Sequence, residues 1–149
     1  MPFVTEVTAR LENKPGRLAK ICAAMAQEKI NIRALSVMDS GERSVLRMIA
    51  EPVESARQVL TSLGVEADFS EVLSEELDNK PGALARLLQR FADEHINVEY
   101  AYTSASGPGK ALGIFQVDNA KKAIQVLSHA SGPSTVSDRD SGRRPLHSR

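Results

Sequence analysis

Asn13-Lys14-Pro15-Gly16 and Asn79-Lys80-Pro81-Gly82 are one phrase written twice, 66 residues apart. At the same offset Leu18-Ala19 matches Leu84-Ala85, Ile30-Asn31 matches Ile96-Asn97, and Ser40-Gly41 matches Ser106-Gly107. Gln58-Val59-Leu60 meets Gln125-Val126-Leu127 one residue late, and the longer turn Gly107-Pro108-Gly109-Lys110 is the place for the extra residue. Ordered matches with a single slip in a turn mark an internal duplication. The length of 149 residues suggests one ordinary domain. The duplication instead divides the chain into a first unit at 1–68, a second at 69–129 and a remainder at 130–149.

Each unit reads as strand, helix, two strands, helix. Phe3, Thr5, Val7, Ala9 and Leu11 alternate with Glu6, Thr8, Arg10 and Glu12, which predicts a strand with one buried face. The Asn-Lys-Pro-Gly phrase breaks it, with Pro at a place where a helix needs no N–H. Leu18, Ile21, Cys22 and Met25 then fall at i, i+3, i+4 and i+7, an apolar helix stripe repeated as Leu84, Leu87, Leu88 and Phe91. Asn31 and Asn97 open the next strands, and a Ser-Gly turn returns each as a hairpin. A second helix carries Ala56, Val59 and Leu60, or Ala123, Val126 and Leu127, with Asn119 placed as an N-cap. Val65 to Leu77 closes the first unit and runs on into the second, with a turn expected near Ser70. The order βαββαβ predicts an α+β fold: two tandem ferredoxin-like units with antiparallel sheets and helices on one face. Units of this size bury little core alone. Joining their sheets edge to edge would also remove exposed edges. From Ala130 the apolar pattern stops; Ser, Gly, Pro and Arg predict a disordered tail, with room for a short final strand at 134–137.

Charge is balanced, 19 basic against 19 acidic residues, so the basic field of a nucleic-acid binder is absent. No stretch has the length of a membrane span, and the first residues lack the apolar run of a signal peptide. One cysteine, Cys22, excludes an internal disulfide framework, fits a cytoplasmic setting and falls on the apolar helix stripe. His95, His129 and His147 have no metal spacing. Gly107 to Lys110 lacks the spacing of a phosphate loop. No pair of carboxylates stands beside a nucleophile, so neither a catalytic centre nor a cofactor is expected.

The repeated phrase has its own chemistry. It lies where a strand ends and a helix begins, and the first helical N–H groups have no partner inside the helix. With the helix dipole they favour a carboxylate or phosphate. Gly16 and Gly82 let a ligand approach the backbone. An Asn amide both donates and accepts, which suits a zwitterion. Asn before Pro-Gly is also a common turn device, but a turn needs one Asn. Asn31 and Asn97 stand 18 residues after Asn13 and Asn79 in both units.

Asn13 to Ala19 with Lys29-Ile30-Asn31-Ile32, and Asn79 to Ala85 with His95-Ile96-Asn97-Val98, resemble the ACT domain, a small regulatory module that binds amino acids. The resemblance spans about residues 3–129 and is nearest to small proteins with two tandem ACT domains. It implies a ligand site on Asn13, Pro15, Gly16, Arg17, Leu18, Asn31 and Ile32, and on Asn79, Pro81, Gly82, Ala83, Leu84, Asn97 and Val98. It implies that sites form between paired units, hence crossed pairs Asn13 with Asn97 and Asn79 with Asn31. The serine-binding members place a His two residues before the turn Asn; here Leu11 and Leu77 stand there. Tyr100 and Tyr102 replace Ala34 and Ser36 of the first unit, so the two sites need not be equivalent. The implied function is regulatory and non-enzymatic: a free amino acid bound between the units, a homodimer as assembly, and a metabolic enzyme as partner. The alternative is a regulatory subunit of an amino-acid biosynthetic enzyme that acts through protein contact.

Overall fold

A computed structural model describes residues 3–129; the tail at 130–149 and the strand expected at 134–137 lie outside them. The first unit contains β1 (Phe3–Glu12), α1 (Arg17–Gln27), β2 (Asn31–Ser40), β3 (Arg43–Glu51) and α2 (Val53–Ser62). Then come β4 (Ala67–Asp78), α3 (Ala83–Asp93), β5 (Val98–Ala105), β6 (Lys110–Val117) and α4 (Ala120–His129). The helices end where their backbone hydrogen bonds run out. Ile30 N–H donates to Met25 O and Lys29 N–H to Ala26 O, both at 3.0 Å. Ile96 and His95 repeat the pattern on Phe91 and Ala92 at 2.9 Å. Lys29 and His95 sit left-handed, at φ 59° and 58°, and close these Schellman-type ends while Ile30 and Ile96 turn into the core. Asn119 caps α4 as expected: its Oδ1 accepts from Lys122 N–H at 3.1 Å.

All six strands form one antiparallel sheet, in the order β2-β3-β1-β4-β6-β5. The two expected sheets are thus joined edge to edge through β1 and β4. The expected turn near Ser70 is absent. β4 is one continuous strand, with Ser70 opposite Glu6 in the ladder. It pairs with β1 through Ala67–Leu73 and with β6 through Leu73–Asp78. No turn is needed because each half of the strand has a partner on its own side, and Leu73 belongs to both ladders. Phe3–Ala9 of β1 occupies the place beside β4 that a last strand of the second repeat would take. Thr5 pairs with Glu71, the residue 66 positions on, so the ladder runs through the pseudo-twofold axis that relates the repeats.

The helices share one face of the sheet. Under α1 and α2, Val7, Ala9, Leu46 and Met48 pack with Ile21, Met25 and Leu60. Under α3 and α4, Leu73, Phe115 and Val117 pack with Leu87, Phe91 and Leu127. Phe91 meets Phe115 edge to face, with centroids 5.9 Å apart. The other face holds a third cluster drawn from β2, β3, β4 and β6: Ala34, Ile49, Val72, Leu112 and Ile114. β2 and β5 are the two ends of the sheet, yet they touch. Five strand spacings would hold them about 24 Å apart if the sheet were flat. The sheet is therefore strongly curled, closing its helix-free face on itself.

That curl corrects the reading of β1. The alternation put Glu6 on a solvated face, but Glu6 is fully buried. Its carboxylate accepts hydrogen bonds from Tyr102 Oη at 2.7 Å and from Tyr100 Oη. Arg47 lays its guanidinium on the Tyr100 ring, 3.9 Å from the centroid, while its Nε is buried without a hydrogen-bond partner among the described residues. Burial first, and then the Glu6 carboxylate, pushes the Tyr100 hydroxyl up to about 12 and raises Tyr102 further. Arg47 opposes the shift at Tyr100.

Candidate functional site

The repeated phrase forms the same backbone in both units. Gly16 and Gly82 are the residues before α1 and α3, in left-handed conformation at φ 87° and 90°. A Cβ at Gly16 would meet nothing within 4 Å, so glycine is required there by conformation rather than by space. No side chain caps either helix start. Both ends therefore offer N–H groups and the positive pole of the helix dipole, as the sequence predicts.

The side chains around the two turns differ. Asn13 Nδ2 donates to Asp39 Oδ1 at 3.3 Å and to Gly41 O at 3.4 Å, while Asn13 N–H donates to Glu42 O at 3.1 Å. Asn13 thus ties the motif turn to the tip of the β2–β3 hairpin, with its own Oδ1 left as an acceptor. Asn79 makes the corresponding backbone bond, to Gly109 O at 2.9 Å. Ala105 stands in the place of Asp39, and among the described residues the Asn79 side chain has no partner. Asp78 instead takes Lys110 Nζ at 2.7 Å, and that hydrogen bond holds the Asp78 carboxyl below the usual range.

Beside the first turn lies an open cleft of about 490 Å³ where β1 runs past the start of β4. Arg10, Arg17, Lys20 and Arg43 line it, against Glu12 and Glu66. Arg17 is held by Glu12, and Arg10 stands 3.6 Å from Asp68. Among the described residues Lys20 and Arg43 have no ion-pair partner. Their counterparts in the second repeat are Arg86 and Lys110, of which Lys110 is taken by Asp78; Arg10 and Arg17 correspond to Glu76 and Ala83. Glu75, where the first repeat has Ala9, is half-buried, and that burial raises its carboxyl pKa. A second cleft, of about 370 Å³ between α3 and α4, mixes Arg90 and Lys122 with Asp93 and Glu94 and lies away from the motif turns.

Asn13, Pro15, Gly16, Arg17 and Leu18 form one contiguous turn, as do Asn79, Pro81, Gly82, Ala83 and Leu84. Leu18 is half-buried against the core, whereas Leu84 is exposed. Asn31 and Asn97 are exposed at the far ends of α1 and α3, while Ile32 and Val98 turn into the two helix-side cores. Asn97 exchanges bonds with Asp118: its N–H donates to Oδ1 at 3.0 Å and its carbonyl accepts at 3.1 Å. The crossed partners come from opposite repeats but lie toward the same end of the sheet along the strand direction. Within one chain, however, Asn13 and Asn97 are about seven residues apart along the strand direction, roughly 23 Å, and so are Asn79 and Asn31. Sequence reasoning missed Asp39, Lys20 and Arg43. Arg43 was the detectable one, since it stands two residues after the Ser-Gly pair and opens β3.

A family model described as an ACT domain pair matches residues 3–140. No curated protein sequence matches the chain. Among solved structures, protein BT0572 from Bacteroides thetaiotaomicron aligns with a TM-score of 0.80 at 29% identity, over 87% of this chain and 89% of that one. The regulatory subunit of aspartate kinase from Thermus thermophilus aligns at 0.62 and 15% identity, over 85% and 91%. Its counterpart from Thermus flavus gives 0.54 and 16%, over 89% and 98%; at these identities the likeness is one of fold. Two motif-bearing halves built into one curled sheet, and matched nearly end to end by a single family model, place the chain in the ACT domain pair family.

Proposed function

We propose that this protein is a regulatory amino-acid sensor whose ligand sits at the first motif turn and whose bound state is read by a metabolic enzyme in the cytoplasm. Membership of the ACT family supports a regulatory role over a catalytic one. One observation carries the ligand reading: Lys20 and Arg43, both without an ion-pair partner among the described residues, line a cleft beside an uncapped helix start. An α-carboxylate suits those two cations and the N–H groups of α1. The α-ammonium suits the free Oδ1 of Asn13, because Asp39 and Gly41 already take its Nδ2. The second turn presents a less basic surface and a freer Asn79, so the two turns bind unequally. A ligand changes the arrangement of paired units only through its differential affinity for one arrangement.

Calorimetry against the twenty amino acids tests this. One or a few should bind, and Lys20→Ala or Arg43→Ala should weaken binding roughly tenfold or more, about 1.4 kcal/mol each. Arg86→Ala in the second repeat should leave that affinity nearly unchanged. Heat from none of the twenty would end the proposal.

A further inference from the structure

Resting on the amino-acid reading above and narrowing it, we propose that the ligand of the first cleft is an acidic amino acid whose side-chain carboxylate is held by Arg43. Arg10, Arg17, Lys20 and Arg43 line the cleft against Glu12 and Glu66, so positive charge is in excess. Internal pairs remove part of it. Glu12 holds Arg17, and Asp68 stands 3.6 Å from Arg10. Lys20, Arg43 and Glu66 are left without an ion-pair partner among the described residues. Two cations and one carboxylate are the counterpart of two carboxylates and one ammonium. A neutral amino acid brings one of each and leaves a cation uncompensated. A basic one sets a second ammonium beside the two cations. Complementary charge therefore ranks the classes in the order acidic, neutral, basic.

The two cations come from different elements. Lys20 belongs to the first turn of α1, where its N–H donates to Gly16 O at 3.0 Å beside the uncapped helix start. Arg43 opens β3 and stands opposite Glu12 in the ladder. With a second carboxylate in the ligand, each cation takes one. The α-carboxylate suits Lys20 and the helix start, and the side-chain carboxylate suits the planar fork of Arg43. Glu66 adds a charged acceptor for the ammonium. Leu11, Ile21, Leu63 and Val65 line the same cleft and give the ligand's methylene groups an apolar wall. The second repeat is the internal control. Its turn has the same backbone, yet Glu75 and Glu76 replace Ala9 and Arg10. Neither glutamate has an ion-pair partner among the described residues, while Lys110, the equivalent of Arg43, is held by Asp78 at 2.7 Å. The excess charge there is reversed in sign, so an acidic ligand enters the first cleft alone.

Calorimetry on the full chain tests this by setting each acid against its own amide. Aspartate against asparagine, and glutamate against glutamine, exchange one charged group at nearly constant size. One of the two acids should bind at least about tenfold tighter than its amide, at one site per chain. Arg43→Gln should bring that ratio close to one, because it removes the partner of the second carboxylate alone. Lys20→Gln should weaken acid and amide alike and keep the ratio. Tightest binding by a neutral or basic amino acid, a ratio that survives Arg43→Gln, or two acidic sites per chain would overturn the proposal and leave the amino-acid reading in place. Heat from none of the twenty amino acids would end both.

Discussion

The two repeats share a backbone and divide their side-chain work. Where conformation is demanding they are alike: left-handed Gly16 and Gly82 before a helix, left-handed Lys29 and His95 after it. Where side chains face a neighbour they differ. The first repeat contributes the charges of the closed sheet face, Glu6 and Arg47, and the second contributes the phenols, Tyr100 and Tyr102. The positions equivalent to Glu6 and Arg47 are Val72 and Ile114, and those equivalent to the tyrosines are Ala34 and Ser36. The polar network is thus completed only across the duplication. A duplicated chain can specialise its halves by such complementary changes while the helix starts, which need a particular φ, stay fixed.

The largest expected effect probes whether the halves are energetically separate. Phe91→Ala in the second core should cost about 3–5 kcal/mol, and Met25→Ala at the equivalent position of the first about 2–5 kcal/mol. Urea unfolding followed by circular dichroism should stay a single transition for both variants, because β1 and β4 run through both halves. Two resolved transitions would show that the repeats unfold separately.

Next in size is the network that joins them. Glu6→Ala leaves two half-buried phenols without their acceptor and should destabilise by roughly 2–4 kcal/mol, while Val72→Ala at the equivalent position should cost less. The chain has two tyrosines and no tryptophan, so phenolate absorbance reports the network directly. In the folded wild type Tyr100 should titrate near 12 instead of 10.0. A raised folded pKa stabilises below the unfolded value, so this contribution is complete below pH 10 and is lost as pH rises toward about 12. In Glu6→Ala the Tyr100 titration should move down toward its ordinary value. Tyrosines that titrate normally in the folded wild type would contradict the network.

The smallest effect compares the two turns. Gly16→Ala should cost about 1–2 kcal/mol from the left-handed backbone alone. Gly82→Ala should cost slightly more, because its Cβ would stand 2.9 Å from the Arg86 guanidinium, which must move aside. Thermal melts of the pair measure the difference; a larger loss at Gly16 would reverse the assignment.

Much of this was legible in the sequence. The repeat, the element order, the helix starts and the Asn119 cap follow from local rules of spacing, φ preference and hydrogen bonding. Three features were not legible, and each depends on distant chain. Glu6 alternates like a solvated residue, and only the curl that brings β2 to β5 buries it. Ser70 sits between two apolar stretches and reads as a turn, but β1 on one side and β6 on the other keep β4 straight. Asn13 reads as a ligand residue, whereas its amide nitrogen is already occupied by Asp39, 26 residues away. The turn reading thus describes the nitrogen end of the side chain, where Nδ2 donates to Asp39 and Gly41.

The strand shared by the two ladders also has a consequence at the ribosome. β1 can meet β3 once Glu51 has emerged, but its first half waits for Ala67–Leu73. At roughly 5–20 residues per second that adds a second or more of translation. Throughout that interval Phe3, Val4 and Glu6 lack their ladder, and Glu6 waits longer still for its phenolic partners. The first half of β1 thus stays unpaired after its second half has met β3, and its folding has to await the arrival of β4.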